Sequence, residues 1–406
     1  LRNVIPCTRI PRIRREPGSM IARAPYLFLL LIIIPDLYFD QHYWRHRLSM
    51  EKRVVRWLPS IILTAYTLAL TYEENFIPDN PTLLYIYLLL LGLIAIPKMV
   101  FMIFSILGLG LCRLFRGKRN YGNILGLAAV PIIWYILLYG SFIGFHKMEV
   151  NHQTYTSHDL PKAFNGYKVV LFSDAHVGSY TERNQWILQR AIDSLNAQKP
   201  DMIVFAGDLQ NIQPKEIISH QEILSKLKAK DGVYSVLGNH DYAQYVNCDE
   251  KTKAENCRQT ISLERQMGWT LLLNEHHTIK RGKSHIVIAG MENDGNGKRF
   301  PQKGNIRKTL KGVTNKDFTI LLEHDPSSWR RRIIPDGRAQ LTLSGHTHNM
   351  QFSLFGWSPI SIIGKEVNGW YHEENQSLFV TAGLGALIPF RFGATGEIVV
   401  LTLKTD

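Results

Sequence analysis

The stretch LSGHTHNMQF, residues 343–352, ends an apolar run with a glycine and then places His346 and His348 on either side of one threonine. An isolated pair of histidines has many uses in proteins. Its meaning here depends on which other side chains the chain brings to the same place. Imidazoles that follow a buried strand indicate a metal site when neighbouring strands deliver further ligands.

Other apolar runs in the second half of the chain end in the same way, with Asp, Asn or His just after the run. Their length and β-branched content predict strands at 167–173, 202–206, 233–237, 318–322 and 340–343. The side chains that follow these strands are Asp174, His176, Asp208, Asn239, His324, His346 and His348. Because open α/β sheets bind ligands beyond the carboxyl ends of their strands, we expect these seven side chains to converge.

Helical patterns alternate with the strands. Residues 183–198 place their apolar side chains on one helical face, and another helix is expected near 215–228. Further strands are predicted at 285–290, 378–381 and 398–403. This alternation predicts an α/β fold of packed layers, with mixed central β-sheets flanked by helices.

The seven converging residues comprise two carboxylates, one amide and four imidazoles. Imidazole suits Zn, Mn and Fe, and oxygen ligands suit the harder of these ions. Two divalent ions about 3.5–4 Å apart can clamp an in-line displacement at phosphorus. We expect the glycines before Asp208, Asn239 and His346 to let the backbone turn sharply there.

The order D-x-H, G-D, G-N-H-D, H and G-H-x-H resembles the calcineurin-like metallophosphoesterase family over residues 165–406. The resemblance implies two divalent metal ions as cofactors (Mn, Fe or Zn) and a phosphoester hydrolase activity. It implies one ion on Asp174, His176, Asp208 and His348, and a second ion on Asp208, Asn239, His324 and His346. By the same resemblance His240 contacts the phosphate and assists the leaving oxygen, and Asp241 orients His240.

Two positions depart from the family pattern, since Asn211 and the pair Asn349-Met350 stand where the family often has an acidic residue and two glycines. Neither position is an expected metal ligand. The ending GLGALIPFRFGATGEIVVLTL, residues 383–403, is similar to the membrane-associated branch of the family, which acts on phospholipid-type substrates.

The first part of the chain has a different composition. Four apolar segments, roughly 22–43, 55–73, 82–112 and 122–146, are long and apolar enough to cross a bilayer, which takes about 20 residues each. The alternative is four buried core helices, but no amphipathic helices are predicted around them to bury them. We therefore predict an N-terminal four-helix transmembrane region in a multi-pass protein of the cell membrane.

Basic residues in the connecting loops predict the orientation. Lys and Arg are concentrated after the first and third segments, at residues 45–56 and 113–119, which should face the cytoplasm. An even number of spans then makes the C-terminal domain extracytoplasmic. Residues 1–19 precede the first methionine and are interpreted as a leader that is not native, so their arginines are left out of this comparison.

The sequence thus predicts a leader at 1–19, a transmembrane domain at 20–148 and a metallophosphoesterase domain at 149–406. The favoured function is a membrane-anchored two-metal phosphohydrolase that cleaves a phosphoester or pyrophosphate bond in a lipid-borne substrate. The alternatives are a soluble nucleotide or phosphoprotein substrate, with the spans only an anchor, or a sensor or transporter without catalysis. The expected partners are the lipid bilayer and the lipid-borne phosphate, and no nucleic acid.

Two residue pairs leave alternatives open. Cys248 and Cys257 either close a small disulfide loop in an oxidising space or remain thiols. Asp36 and Lys98 lie inside apolar segments, each beside a proline, at similar depth. They either pair within the bundle or reach individually toward an interface.

Overall fold

The computed structural model describes residues 20–73, 81–246, 248–297 and 300–406 of the protein. The predicted leader, residues 1–19, lies outside the described residues. The chain divides into two compact units, with the boundary between Ile143 and Gly144.

In the described part of the N-terminal unit there are four α-helices: α1 Met20–Phe39, α2 Met50–Leu70, α3 Pro81–Leu114 and α4 Gly122–Phe142. This confirms the predicted N-terminal helices. Within the described residues, three segments are long and apolar enough to cross a membrane: Ala24–Trp44, Pro81–Leu114 and Gly122–His146. Helix α2 differs because charged residues occupy its first two turns, which shortens its apolar part.

Asp36 and Lys98 form an ion pair between α1 and α3. The Lys98 Nζ donates to Asp36 Oδ1 at 2.7 Å and to Ser60 Oγ of α2 at 3.0 Å. Asp36 is completely buried. A carboxylate in apolar surroundings is costly unless it is paired, so this charged contact ties the three helices together.

Helices α3 and α4 approach each other through small residues. A side-chain carbon at Gly122 would lie 2.0 Å from the Phe104 carbonyl oxygen, so only glycine fits there. Beside this contact Ser105 Oγ donates to Asn123 Oδ1 at 2.6 Å, and the hydroxyl groups of Tyr38 and Tyr43 both lie 2.7 Å from Ser105 Oγ. Close backbone approach and polar side-chain contacts are what hold helices together in lipid.

The C-terminal unit contains two six-stranded sheets. Its strands are β1 Met148–Thr156, β2 Lys168–Phe172, β3 Met202–Phe205, β4 Val233–Ser235, β5 Thr270–Leu271, β6 Glu275–Arg281, β7 Ser284–Gly290, β8 Thr319–Leu322, β9 Leu341–Ser344, β10 Gly369–Glu373, β11 Gln376–Val380 and β12 Gly396–Lys404. Its α-helices are α5 Gln185–Ala197, α6 Lys215–Ile218, α7 Gln221–Leu224, α8 Glu250–Gln266, α9 Ile306–Thr309 and α10 Ile334–Asp336.

Both sheets are mixed, as predicted. The first has the order β1-β12-β2-β3-β4-β5, and the second has the order β10-β11-β9-β8-β7-β6. Strands β2, β3 and β4 are mutually parallel in the first sheet, and β8 and β9 are parallel in the second. Parallel neighbours end at the same edge, so each sheet delivers its predicted site residues to one edge.

The strands alternate their side chains between two hydrophobic layers. Val169 and Leu171 of β2 face the second sheet and belong to the cluster between the two sheets. Val170 and Phe172 face the other way and pack with the buried side of α5. The second sheet uses its outer face in the same manner, against the buried Trp329. The result is a helix–sheet–sheet–helix sandwich.

Several features differ from the predicted elements. The helix expected near 215–228 is broken into α6 and α7, because His220 leaves helical geometry and its Nε2 lies 3.0 Å from the Tyr180 carbonyl oxygen. The long helix α8 was not predicted, because its sequence is mostly polar. Strands β1, β5, β6 and β10 were not predicted either. Strand β1 is a half-exposed edge strand that pairs in parallel with β12.

We predict that Asp36 and Lys98 are energetically coupled. Asp36→Asn should lower the melting temperature of the detergent-solubilised protein, because it leaves the Lys98 ammonium without its counter-charge. Adding Lys98→Met should recover part of the loss, with a coupling energy of about 0.5–3 kcal/mol. Thermal melting of both single variants and the double variant measures this. The matched control is the Asp40–Arg53 pair, which is partly exposed and should couple more weakly. If the effects of the Asp36 and Lys98 substitutions on stability are simply additive, the prediction is wrong.

Candidate metal centre

The seven predicted ligand residues lie where five strands end. Asp174 and His176 follow β2, Asp208 follows β3, and Asn239 follows β4. In the second sheet His324 follows β8, and His346 and His348 follow β9. Asp174, His176, Asp208, Asn239 and His324 are buried, and the two histidines after β9 are partly exposed. The structure brings all seven together at one end of the sandwich.

Their ligand atoms form two overlapping groups. Asp174, His176, Asp208 and His348 make the first group, and Asp208, His324 and His346 make the second, with all ligand atoms of a group within 4.8 Å of one another. Asp208 Oδ2 lies 3.1 Å from His324 Nε2 and 3.7 Å from His176 Nε2. Asp208 therefore belongs to both groups, and each group has the composition of a divalent metal site.

Asn239 completes the second group with an amide oxygen. Its Oδ1 lies 2.8 Å from His346 Nδ1, and its Nδ2 donates to the Tyr245 hydroxyl at 2.8 Å. The bond to Tyr245 sets the orientation of the amide. It leaves the oxygen, the metal-binding atom of an amide, directed toward His346.

The nitrogen and oxygen donor atoms of the site lie close together with few hydrogens to share between them. His176 Nε2 and His348 Nε2 are 3.0 Å apart, and His348 Nε2 is also 3.2 Å from Asp174 Oδ1. His324 Nε2 is buried and lies 3.1 Å from Asp208 Oδ2 without the geometry of a hydrogen bond, whereas its Nδ1 lies 2.7 Å from the Ala206 carbonyl oxygen. Lone pairs that converge in this way need a positive charge between them, so the residues fit a pair of metal ions.

The backbone of the site is strained. Asp174, His176, Asp208, His346 and His348 all have positive φ, between 41° and 75°. Left-handed backbone at residues other than glycine costs about 1–3 kcal/mol each and persists where the surrounding structure imposes it. Directing these five side chains to one place therefore lowers the free energy of unfolding of the protein.

The glycines of the motifs serve two different purposes. Gly207 has φ +95° and makes the sharp turn that was predicted before Asp208. Gly345 is required for space, because a side-chain carbon there would lie 2.0 Å from Ser173 Oγ. Gly238 has φ −89° and is likewise needed for space, since such a carbon would lie 2.2 Å from Asp208 Oδ1. Neither Gly238 nor Gly345 has a positive φ, so the prediction of a sharp turn is wrong for both.

Electrostatics at Asp208 favour a cation beside it. Burial favours the protonated carboxyl, but the positive charges of His324 and His240 outweigh it and hold the pKa of Asp208 well below its usual range. Burial favours a neutral His324, but the negative charge of Asp208 outweighs it and raises the pKa of His324 to about 10. A buried carboxylate thus demands a positive charge here, which an imidazolium or a metal ion can provide.

In the first group the pKa values of the histidines are lowered instead of raised. Burial, followed by the nearby His240, lowers the pKa of His176 to about 3. Burial and the adjacent His176 hold the pKa of His348 well below its usual range. Both imidazoles are therefore neutral at pH 7, which is the form that binds metal.

His240 lies beside the first group but is held by a group that was not predicted. Its backbone N–H donates to Asp208 Oδ1 at 2.8 Å, and its ring packs at 4.9 Å from that of His176. Its Nδ1 lies 2.5 Å from the Asn211 carbonyl oxygen. That carbonyl, supplied by the loop after β3, orients the imidazole.

The prediction that Asp241 orients the His240 ring is therefore wrong. The Asp241 carboxylate instead accepts four backbone N–H bonds, from Asp208, Leu209, Gln210 and Gly238. It fastens the loop that carries Asp208 to the loop that carries Asn239. The motif alone could not show this, because a carboxylate beside a histidine in sequence can face either the ring or the backbone.

Three further residues support the site, and the motifs did not point to them. Tyr245 lies six residues after Asn239. Asp325 directly follows His324, and its Oδ2 is 3.8 Å from His346 Nε2. Arg391 is buried and donates to the carbonyl oxygens of residues 382, 383, 385 and 394. Arg391 lies in the C-terminal segment 383–403. From sequence alone an arginine there is expected to be exposed, because its carbonyl partners become known only from the structure.

The two cysteines of the polar stretch are not bridged. No disulfide joins Cys248 and Cys257 in the structure. Burial raises the pKa of the Cys257 thiol, which packs with Leu237 and Tyr242. Of the two alternatives, the structure has the thiols.

Comparisons with known proteins identify the family. Residues 167–350 match the calcineurin-like phosphoesterase family, and residues 19–145 match a family described as a probable calcineurin-like phosphoesterase, transmembrane domain. The chain is 33% identical over 275 residues to YkuE, an uncharacterized metallophosphoesterase of Bacillus subtilis, covering 66% of this chain and 89% of YkuE.

Two animal relatives are longer than the matched region. A transmembrane protein with metallophosphoesterase domain of Danio rerio is 32% identical over 256 residues, which cover 60% of this chain and 55% of that protein. A putative metallophosphoesterase of Caenorhabditis elegans, F40B5.2, is 30% identical over 246 residues, covering 58% and 48%. The chain spans about half the length of these two relatives.

The fold and the donor groups define a metal-dependent phosphoester hydrolase. The chain belongs to the calcineurin-like phosphoesterase family and carries the transmembrane domain of its membrane-associated members. It is therefore a membrane-associated enzyme.

We predict that Asp241→Asn destabilises the site instead of only retuning His240. An amide presents N–H groups to two of the four backbone donors, and each buried donor left unpaired costs about 1–3 kcal/mol. Melting temperature and bound metal should fall together. Asp317→Asn is the control, because Asp317 also accepts a backbone N–H bond but lies apart from the site. Lost turnover with normal melting and normal metal content would contradict this role.

Proposed function

We propose that this protein is a membrane-anchored two-metal phosphohydrolase that cleaves a phosphoester or pyrophosphate bond in a lipid-borne substrate. One ion would be held by Asp174, His176, Asp208 and His348. The other would be held by Asp208, Asn239, His324 and His346. The observation that carries the proposal is the sharing of Asp208 between two complete donor groups.

The donor chemistry favours Mn, Fe or Zn, because imidazoles are combined with carboxylate and amide oxygens. Such ions, when bound, polarise a phosphoryl oxygen and lower the pKa of water. The chain's own contribution is to fix the ligands before substrate arrives. It does so through the strained strand ends, the Asp241 clamp and the Tyr245 hydroxyl.

His240 is proposed to be the catalytic residue that handles the proton of the leaving oxygen. Its Nδ1 is engaged by the Asn211 carbonyl oxygen. That bond fixes the ring and leaves Nε2 as the atom that can hold or donate a proton to substrate. Asp241 is proposed to act indirectly, by positioning the backbone on both sides of His240.

The lipid-borne substrate is supported by the architecture of the chain. The membrane unit ends at Ile143, and the catalytic unit begins at the next residue. An active site tethered so directly meets lipid phosphates at high effective concentration. A soluble nucleotide or phosphoprotein would use the same chemistry, and side-by-side turnover of lipid and water-soluble phosphoesters tests that alternative.

We also propose that the protein is multi-pass, with the catalytic unit extracytoplasmic. The support is the basic composition at residues 45–56 and 113–119, which favours the cytoplasm for both connections. A reporter enzyme fused after Asp406 should be active only outside the cytoplasm. The same reporter placed at residue 117, between α3 and α4, is the reciprocal control. A cytoplasmic signal from the C-terminal fusion would reverse the proposed orientation.

We predict that Asp208→Asn abolishes turnover and reduces bound metal. The substitution weakens the one ligand shared by both groups, so neither ion should be retained normally. Metal analysis of the purified protein and turnover of a phosphoester measure the two effects separately. Wild-type turnover with two ions retained would exclude the proposed site.

The matched variant is His240→Ala, which should separate proton transfer from metal binding. Loss of a general acid lowers kcat by about 10²–10⁴-fold, and the metal content should stay near that of the wild type. If metal is lost together with activity, His240 has been given the wrong role.

A further inference from the structure

The exposed apolar side chains of the catalytic unit are concentrated beside the metal centre. Among the described residues from Gly144 onward, nine large hydrophobic side chains are exposed, and eight of them lie in two segments. The segments are 350–363 and 386–390, which we call the apolar lip. The eight residues are Met350, Leu354, Phe355, Trp357, Ile362, Ile363, Leu387 and Ile388.

The apolar lip carries no exposed charge. Residues 349–364 read NMQFSLFGWSPISIIG, without any acidic, basic or histidine side chain. The nearest charge to the second segment is Arg391, which is buried and bonded to backbone carbonyls. Exposed apolar surface that is this continuous marks an interaction site in soluble domains.

The tip of the apolar lip is held out by a strained turn. Leu354 and Trp357 exchange two backbone hydrogen bonds, of 2.8 and 3.0 Å, around Phe355 and Gly356. Phe355 is fully exposed, at 101%, and has φ +52°. Such turns strongly favour Asn or Gly at this position, and a bulky aromatic there is an outlier. Local folding gives no reason for Phe355, which indicates a role at the surface.

The two segments are joined into one body. Gln351 Nε2 donates to the carbonyl oxygens of Ile388 and Phe390 at 2.9 and 2.6 Å. Ser353 N donates to the Phe392 carbonyl oxygen at 2.7 Å. The apolar lip is therefore a single built surface and not two independent loops.

This surface contacts the metal centre from two sides. The first segment begins two residues after His348, a ligand of the first group. The second segment reaches His240 through Asn211, whose Nδ2 donates to the Leu387 carbonyl oxygen at 3.2 Å and whose own carbonyl oxygen lies 2.5 Å from His240 Nδ1. A group held by the apolar lip is therefore close to both the ligands and the proposed acid.

We propose that the apolar lip inserts into the interfacial layer of a lipid bilayer and that the phosphoester of a lipid reaches the metal centre from there. The proposal rests on the function proposed above and adds the residues that would recognise the substrate's surroundings. Phe355, Trp357, Ile362 and Ile363 enter the bilayer. The lipid phosphate then stays at the level of His348 and His240.

A bilayer fits this surface better than a protein partner does. Protein interfaces combine an apolar centre with a polar rim and often with arginine. Residues 350–363 and 386–390 have no exposed charge, and Lys365 just beyond them is of a residue type that is depleted in protein interfaces. Trp357 is the residue type that prefers the membrane interface. The transmembrane domain directly precedes the catalytic unit, so the catalytic unit is tethered to a bilayer.

The first test measures depth and needs no activity. A spin label is placed at Phe355→Cys in full-length protein whose native cysteines are replaced by serine, reconstituted into phosphatidylcholine–phosphatidylglycerol bilayers. The label should be accessible to oxygen dissolved in lipid and protected from a water-soluble nickel complex. A label at Asn315→Cys, an exposed position outside the apolar lip, should show the opposite. A water-accessible label at 355 overturns the proposal, and so does one hidden from both agents, which would mean a protein partner, a second copy or the chain's own membrane unit.

The second test separates the surface from the chemistry. Phe355→Asn gives the turn a residue that it favours, so melting temperature should be unchanged or higher. Turnover of phosphatidic acid and phosphatidylglycerol in bilayers should fall about tenfold or more, because one fully exposed aromatic anchor is lost. Turnover of p-nitrophenyl phosphate and its diester should be unchanged, and Phe355→Leu should restore lipid turnover. Asn315→Asp is the surface control.

The outcomes distinguish the two proposals. If wild type hydrolyses the soluble esters but neither lipid, or if Phe355→Asn lowers both kinds of turnover equally, lipid delivery by the apolar lip is wrong and the metal chemistry stands. If wild type hydrolyses none of the esters, the proposed function fails, and the depth measurement still decides whether the apolar lip enters the bilayer.

Discussion

The buried carboxylate of Asp208 is the constraint on which the catalytic unit depends. It lies within reach of both donor groups, and its low pKa shows that the surroundings hold it charged. A charge at this depth is stable only beside a counter-charge, which His324 and His240 provide in the structure and which a bound metal ion would also provide. Its backbone is left-handed and is held by the Asp241 carboxylate and by a glycine on either loop. Changes at any of these supports should therefore act through Asp208.

The side chains of the candidate metal centre come from both sheets. One sheet supplies both carboxylates and the amide, and the other supplies three of the four imidazoles. Because β2, β3 and β4 are parallel, as are β8 and β9, each set of side chains leaves its sheet at one edge. The large apolar cluster between the sheets holds the two edges in register. Packing energy far from the site thereby offsets the strain stored at the five left-handed ligand residues.

The two units of the chain handle buried charge by the same rule. In the membrane unit the Asp36 carboxylate is paired with Lys98, and Ser60 supplies a further contact. In the catalytic unit Arg391 is buried, its guanidinium satisfied by carbonyl oxygens, which fixes the segment beside the metal centre. Each charge is retained because its partners are complete. By contrast, the apolar lip leaves hydrophobic surface without a partner within the described chain, which is why a bilayer is proposed to cover it.

The sequence by itself determined the candidate ligand residues, the family and the helical membrane region, because these depend on residue type, order and apolar length. The G-N-H-D and G-H-x-H motifs name Asn239, His346 and His348 directly, and the apolar runs around Asp36 and Lys98 place both charges at one depth. Helix α8 and strand β1 escaped prediction, because polar sequences take up helix or strand only when tertiary packing selects one. Only the tertiary structure decided that Asp241 binds backbone and not His240, that the Asn211 carbonyl orients His240, and that residues 350–363 and 386–390 form one surface. These relations join segments far apart in the chain, and the partner of a hydrogen-bonding group is set by which segments the fold brings within about 3 Å of it.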